Sequence, residues 1–293
     1  MRQGRKAAGL ADFDALVARA QALNLKVIID QVWSHTAIEH PWFAESRSSR
    51  DNAKADWYVW ADAKPDGAPP SNWQSWMGCA TWTWDSQRRQ YYLHNFLPQM
   101  PDLSFHSAAM QQHLHNVCQP ETVLFHERVR AMLDSCDARM AVAEIGSQHS
   151  LERMIEYTRG SDRLHTAYSF LLLGAQPTPQ QLFDMMVPWQ QGLGATAWPS
   201  WALSNHDATR VATRWALGDA ARAQQFIALL ACLRGTVFLY QGEELGLPQS
   251  EVNFEDLQDP FGRAHWPREK GRDGCRTPMP WQAGDRTGGF TSG

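Results

Sequence analysis

Short apolar runs that stop at a carboxylate recur along this chain. Val27-Ile28-Ile29 runs into Asp30, Ala141-Val142-Ala143 into Glu144, and Trp201-Ala202-Leu203 into Ser204-Asn205-His206-Asp207. Continuous apolar runs of this length read as parallel strands buried on both faces. A carboxylate where such a run ends sits at the carboxyl end of its strand, where barrel and doubly wound enzymes place their chemistry. Helical patterns separate the runs. Phe13, Leu16, Val17, Ala20 and Leu23 share one face and predict an amphipathic helix over Asp12–Asn24, followed by a strand over Lys26–Asp30. After Ser107 the same rhythm predicts helices over Glu121–Leu133, Leu151–Thr158, Gln180–Trp189 and Ala220–Leu233. Strands are predicted over Met140–Glu144, Leu164–Phe170, Thr196–Leu203 and Thr236–Tyr240. The alternation makes the fold α/β. Five strands of this kind are too few to close an eight-stranded barrel.

From about Ile38 to His106 the pattern changes to Pro, Gly, Ser and Trp, with no sustained helical period. This predicts an inserted subdomain of short strands and loops, with Trp82-Thr83-Trp84 and Arg89–Phe96 paired as a hairpin. Fourteen Trp are the strongest compositional bias. Trp42, Trp57, Trp60, Trp73, Trp76, Trp82 and Trp84 cluster in or beside this region. Indole faces suit sugar rings, and equally they fill the core of a small irregular subdomain. The net charge of -4, with Lys and Arg dispersed, argues against a nucleic-acid partner. Five scattered Cys (Cys79, Cys118, Cys136, Cys232, Cys275) form no C-x-x-C pair and imply reduced thiols in a cytoplasm. No apolar run reaches the ~20 residues needed to span a membrane. The opening Met1–Lys6 has no apolar signal-peptide core behind it.

The motifs, in their order, resemble the alpha-amylase superfamily of glycoside hydrolases, and within it the bacterial alpha-glucosidases and oligo-1,6-glucosidases. Asp30–His35 is similar to that family's first motif after strand three. Gln99-Met100-Pro101-Asp102-Leu103 resembles the Pro-Asp-Leu motif that ends its inserted B domain. Glu144 stands at the position of the general acid/base after strand five, and Asn205-His206-Asp207 at the motif after strand seven. Gly235–Glu244 resembles strand eight, and Gly271-Arg272-Asp273-Gly274-Cys275-Arg276-Thr277-Pro278-Met279 resembles an alpha-glucosidase stretch.

The resemblance implies an incomplete (β/α)8 TIM barrel over residues 1–36 and 107–293, with a Trp-rich B subdomain over 37–106 inserted after strand three. Glu144 is then the general acid/base and Asp207 the transition-state stabiliser. Asp30, His35, His206 and Arg276 are the substrate-binding residues, Asp30 orienting its neighbours. Arg276 reads equally well as an exposed ion-pairing side chain. The implied substrate is an alpha-linked glucose disaccharide or oligosaccharide, split with retention, and no cofactor or metal is implied.

One motif is missing. The family's Gly-Phe-Arg-x-Asp after strand four, which carries the nucleophile, has no counterpart here. Only Cys118-Gln119-Pro120 separates the two helical patterns at that point, and a crossover needs at least ~10–12 residues. Strands one and two and the C-terminal β-sandwich also have no counterpart. The chain therefore reads as a truncated, internally deleted family member, inactive for lack of an attacking group. Two other readings stay open: a non-catalytic sugar-binding or scaffold remnant, and a metal-dependent hydrolase using Asp30, His35, Glu144, His206 and Asp207. The last lacks any His-x-His or His-Glu-x-x-His spacing.

Overall fold

The structure, a computed structural model, describes residues 9–104, 107, 121–145, 149–174, 176–195, 197–282, 284 and 288–289. The expected junction at Cys118-Gln119-Pro120 lies outside them. Helix α1 (Leu10–Ala22) and helix α2 (Pro41–Ser48) precede three short strands, β1 (Trp60–Ala61), β2 (Trp82–Asp85) and β3 (Gln90–Leu93). An alternating run follows: α3 (Glu121–Asp134), β4 (Val142–Glu144), α4 (Ser150–Thr158), β5 (Thr166–Tyr168), α5 (Pro179–Leu193), β6 (Ser200–Ala202), α6 (Val211–Arg214), α7 (Ala220–Ala231) and β7 (Thr236–Phe238). Helix α8 (Pro260–His265) lies near the end.

Strand β4 pairs in parallel with β5, Glu144 opposite Tyr168, and β6 in parallel with β7, Ala202 opposite Phe238. Side chains bridge the two pairs. The Thr166 hydroxyl donates to the Trp198 carbonyl at 2.7 Å and the Ser200 hydroxyl to that of Ala167. Among the described residues these two-stranded sheets form no closed barrel. The core beneath them is built on Trp189, Trp201, Trp215, Tyr157, Leu203 and Ile145, all fully buried. Each of its indole N–H groups has an acceptor: Ser200 for Trp189, Arg234 for Trp201 and Gly174 for Trp215. A buried indole without a partner would cost the desolvation of its N–H.

Local signals set the helix ends. The Thr178 hydroxyl accepts from the Gln181 N–H at 3.2 Å, and the Gln181 side chain accepts from the Thr178 N–H at 2.9 Å. This closes a capping box ahead of Pro179. Gly194, at φ +68°, ends that helix in a conformation that favours glycine. Asp219 caps α7 by accepting from the Arg222 N–H.

The N-terminal region differs from expectation. Lys26–Asp30 forms no strand, and Ile28 is 64% exposed. A strand exists through the ladder it shares with a neighbour, and no described segment pairs with this run. Helix α1 spans Leu10–Ala22, not Asp12–Asn24, and buries no side chain, although its apolar face is where the spacing puts it. Its end is set by Asn24 at φ +56°.

The expected hairpin is present. Strand β2 pairs antiparallel with β3, Trp82 opposite Leu93, and β1 completes a three-stranded sheet in the order β1-β3-β2. Helix α2 was not expected in this region. Its signal is Pro41 in the first turn, with the His40 ring accepting from the Trp42 N–H. Phe43, Trp57, Tyr58, Tyr92 and Leu103 form a separate core there, with Trp42 and Trp60 packed against it.

Candidate active site

Strand ends meet at one open cavity of about 250 Å³, lined by Glu144, Tyr168, Ser204, Asn205, His206, Phe238, Leu239 and Tyr240. Glu144 is the last residue of β4 and Tyr168 the last of β5. Ser204–His206 leave β6, and Leu239–Tyr240 leave β7. A period-two strand that ends in a polar residue delivers that side chain to the rim, which explains why these positions come together.

Burial pushes the Glu144 carboxyl above its ordinary value. The negative charges of Asp30 and Asp207 add to this, and His206 opposes it. A carboxyl raised in this way suits a proton donor. Burial also pushes the Tyr168 hydroxyl to about 12 against a hydrogen bond with Asn205, so it stays a neutral group that both donates and accepts.

The turn that carries Asp207 is fixed from two sides. From within, the Asn205 side chain accepts from the N–H groups of Asp207 at 2.9 Å and Ala208 at 2.8 Å. From outside, Arg272 donates to Asp207 Oδ1 at 3.0 Å and Arg276 to the same oxygen at 2.7 Å, while His206 Nε2 lies 3.3 Å from Oδ2. Arg276 Nε also donates to the His206 carbonyl at 2.7 Å. Arg276 is thus ion-paired with Asp207 beside the cavity.

Arg272 is itself held by Asp259, through Nε to Oδ2 and Nη2 to Oδ1, both at 2.9 Å. Asp259 is buried, and burial alone would push its pKa up. The hydrogen bonds from Arg272 and from the Arg272 and Phe261 N–H groups outweigh that and hold it at about 2. Gly271, at φ +72°, allows the approach: a Cβ there would lie 2.8 Å from Asp259 Oδ2.

Asp30 reaches the site as a charge acting on Glu144. His35 is bridged to Asp102, its ring 5.3 Å from Phe96 and its Nδ1 2.9 Å from the Ser34 hydroxyl. Burial lowers its pKa. It is not among the residues lining the cavity. Among the described residues no group of three His, Cys, Asp or Glu side chains is placed to hold a metal, and no helix is long and apolar enough to cross a membrane.

Sequence reasoning missed Asp259, Arg272 and Tyr168. Tyr168 is the last residue of β5 as Glu144 is of β4, but the strand expected over Leu164–Phe170 runs two residues past it, which hid its place at the rim. Asp259 and Arg272 stand 13 positions apart, a separation that no local spacing rule links.

Comparison with known proteins decides the family. The catalytic-domain model of alpha amylase matches residues 8–120 and 113–293. The chain belongs to the alpha-amylase family. It is 43% identical to a probable alpha-glucosidase of Rhizobium meliloti (strain 1021), over 97% of this chain and 62% of that protein. It is 29% identical to an oligo-1,6-glucosidase of Heyndrickxia coagulans, over 96% and 65%. A solved alpha-glucosyl transfer enzyme, XgtA, superposes with a TM-score of 0.89 at 43% identity, over 97% of this chain and 64% of that one.

This glycoside hydrolase family member therefore spans less than two thirds of these relatives. The shortfall is partly internal. The Rhizobium meliloti alignment runs over 345 residues, whereas 97% of a 293-residue chain is about 284, so about 60 residues of the relative face none of this chain. The two pieces of the family match meet at residues 113–120, where the sequence lacks the nucleophile motif.

The Asp259–Arg272 pair gives a pH test. A carboxyl held at about 2 against an unfolded value near 3.8 contributes stability that is complete above pH 4 and lost as the pH falls through 2. Asp259→Asn is expected to lower stability by up to about 2 kcal/mol at pH 7 and to flatten its dependence between pH 4 and 2. Urea midpoints across that range check it. Parallel curves for both proteins would show that the pair does no electrostatic work.

Proposed function

We propose that this chain carries the acid half of a retaining alpha-glucosidase site and binds short alpha-linked glucosides without hydrolysing them at a measurable rate. The observation that carries this is a carboxyl raised by burial, Glu144, facing the clamped Asn205-His206-Asp207 turn across one cavity. Glu144 would donate its proton to the glycosidic oxygen as the bond to the anomeric carbon breaks. Asp207 would accept hydrogen bonds from the ring hydroxyls, and Asp30 would keep the Glu144 proton in place. Retention needs a second carboxylate to attack that carbon from the opposite face. No residue of this sequence stands at the family's position for it.

The architecture belongs to the same reading. We take 1–36 and 107–293 as parts of one barrel, with no segment matching strand four, and 37–106 as the inserted subdomain. The free thiols of Cys79, Cys136, Cys232 and Cys275 favour a cytoplasmic setting. The relatives' names, alpha-glucosidase, oligo-1,6-glucosidase and glucosyl transfer enzyme, agree on the substrate class. They leave open whether water or a second sugar is the acceptor in a complete enzyme. His35 has no role at the cavity in this proposal, and the metal-dependent alternative gains no support from the geometry.

Calorimetric titration with maltose and with isomaltose tests binding. The chain is expected to bind at least one of them, and Asp207→Ala to weaken that binding at least tenfold, since a site built to hydrogen-bond hydroxyls loses its acceptor. Unchanged affinity in Asp207→Ala would remove Asp207 from the sugar site.

A further inference from the structure

The Trp-rich segment divides into two classes that the sequence did not separate. Trp42, Trp57 and Trp60 belong to the core around Phe43, with Trp60 stacked on Phe43 at 5.5 Å. Trp82 donates its indole N–H to the Ser71 hydroxyl at 2.9 Å, and Trp84 packs edge-on against Tyr91 at 5.0 Å. Trp73 and Trp76 do neither, and are 64% and 77% exposed.

Their exposure does not come from a loose backbone. The Trp73 carbonyl accepts from the Thr81 N–H at 3.1 Å, and Gln74 bridges Ala80 in antiparallel register. The Ser75 N–H donates to the Cys79 carbonyl at 2.8 Å and the Trp76 N–H to that of Asn95, also at 2.8 Å. Ser75 is turned inward and buried, its hydroxyl 3.1 Å from the Cys79 sulfur. The segment is a pinned turn that holds two indoles in water, where an apolar surface of this kind commonly marks a binding site.

The chemistry around the indoles narrows the ligand. Between Asp66 and Asp85 no side chain is charged, so the turn itself offers an anionic or cationic partner no counter-charge. Asn72 and Gln74 flank Trp73 and are exposed. Each carboxamide offers both donors and an acceptor, matching hydroxyls that do both. Flat apolar faces beside neutral amides fit a sugar ring, with its C–H face on the indole and its hydroxyls on the amides.

The turn is also joined to the site. A Cβ at Gly78 would meet the His265 ring at 2.5 Å, so this glycine lets α8 close on the turn. Helix α8 is capped by Asp259, the residue that holds Arg272 against Asp207.

We propose that Trp73 and Trp76, with Asn72 and Gln74, form a second carbohydrate-binding platform on the rim, taking the distal glucose units of an alpha-linked oligosaccharide. The choice of alpha-linked glucose over other neutral sugars rests on the function proposed above.

The test titrates maltoheptaose into the whole chain, below the concentration at which light scattering detects association. Tryptophan emission and calorimetry are both followed. Binding with a change in emission is expected. The W73A/W76A double variant should lose the emission change and bind at least tenfold more weakly, and W73F/W76F should recover part of the affinity because a phenyl keeps a flat face. Trp281→Ala removes an equally exposed indole elsewhere and should change nothing. Equal affinity in W73A/W76A, or no binding of maltoheptaose to the unaltered chain, overturns the platform. Failure of the cavity reading looks different: Asp207→Ala would then leave maltose binding intact while W73A/W76A still weakened maltoheptaose.

Discussion

No p-nitrophenol is expected from p-nitrophenyl-α-glucoside, and no glucose from maltose or isomaltose, when the 293-residue chain is assayed alone. The Glu144 carboxyl proposed as the acid is raised by its surroundings. A retaining mechanism still needs a carboxylate on the far side of the anomeric carbon. Asp207 does not substitute, because Arg272 and Arg276 both hold its Oδ1 and fix it on the turn after β6. Asp30 does not substitute either. It follows a run with no strand pairing, and loose placement of a reacting group alone costs about 10²-fold. Losing one member of a catalytic unit costs on the order of 10⁴–10⁶ in rate. Grafting the unmatched stretch of about 60 residues from the Rhizobium meliloti relative at residues 113–120, with the strands that precede its matched region, should restore turnover. Glu144→Gln in the graft should abolish it again. Turnover by the ungrafted chain that disappears in Glu144→Gln would refute the missing-nucleophile account.

Self-association is the second large effect expected. Leu10, Leu16, Leu23, Val27, Ile28, Ile29 and Val32 are all exposed in the first 33 residues. Burying one such side chain is worth about 1.5–3 kcal/mol. Among the described residues the backbone of Lys26–Asp30 joins no strand ladder, and an open run of this kind is a template for another chain. The purified protein should bind an apolar dye such as ANS and associate as its concentration rises. Ile28→Lys with Ile29→Lys places charge on the open run and should raise the onset of association at least tenfold in light scattering. The core on Trp189, Trp201 and Trp215 contains neither residue, so the urea midpoint of that core should move little. A monomer that melts sharply without dye binding would contradict this expectation.

Much of this arrangement was legible along the chain, because it depends on neighbours in sequence. The βα order from Glu121 to Phe238 follows from hydrophobic period, and Thr178-Pro179 and Asp219 mark helix starts by their own side chains. Glu144 stands at a strand end, and the Asn205-His206-Asp207 turn is built by bonds two and three residues apart. The hairpin over Trp82–Leu93 is likewise local. What the chain alone did not reveal depends on partners far away in it. Lys26–Asp30 has the composition of a strand and is none, because strand formation needs a second segment to complete its hydrogen bonds. Asp207 meets Arg272 across 65 positions, so only the closure of the fold brings Asp259, Arg272 and Asp207 into one chain of charges. The seven clustered Trp share one composition. Burial against Phe43 or exposure on the Ser71–Ala80 turn was decided by the packing of α2 and the three-stranded sheet, since an indole is driven inward only where other apolar surface is in reach to cover it.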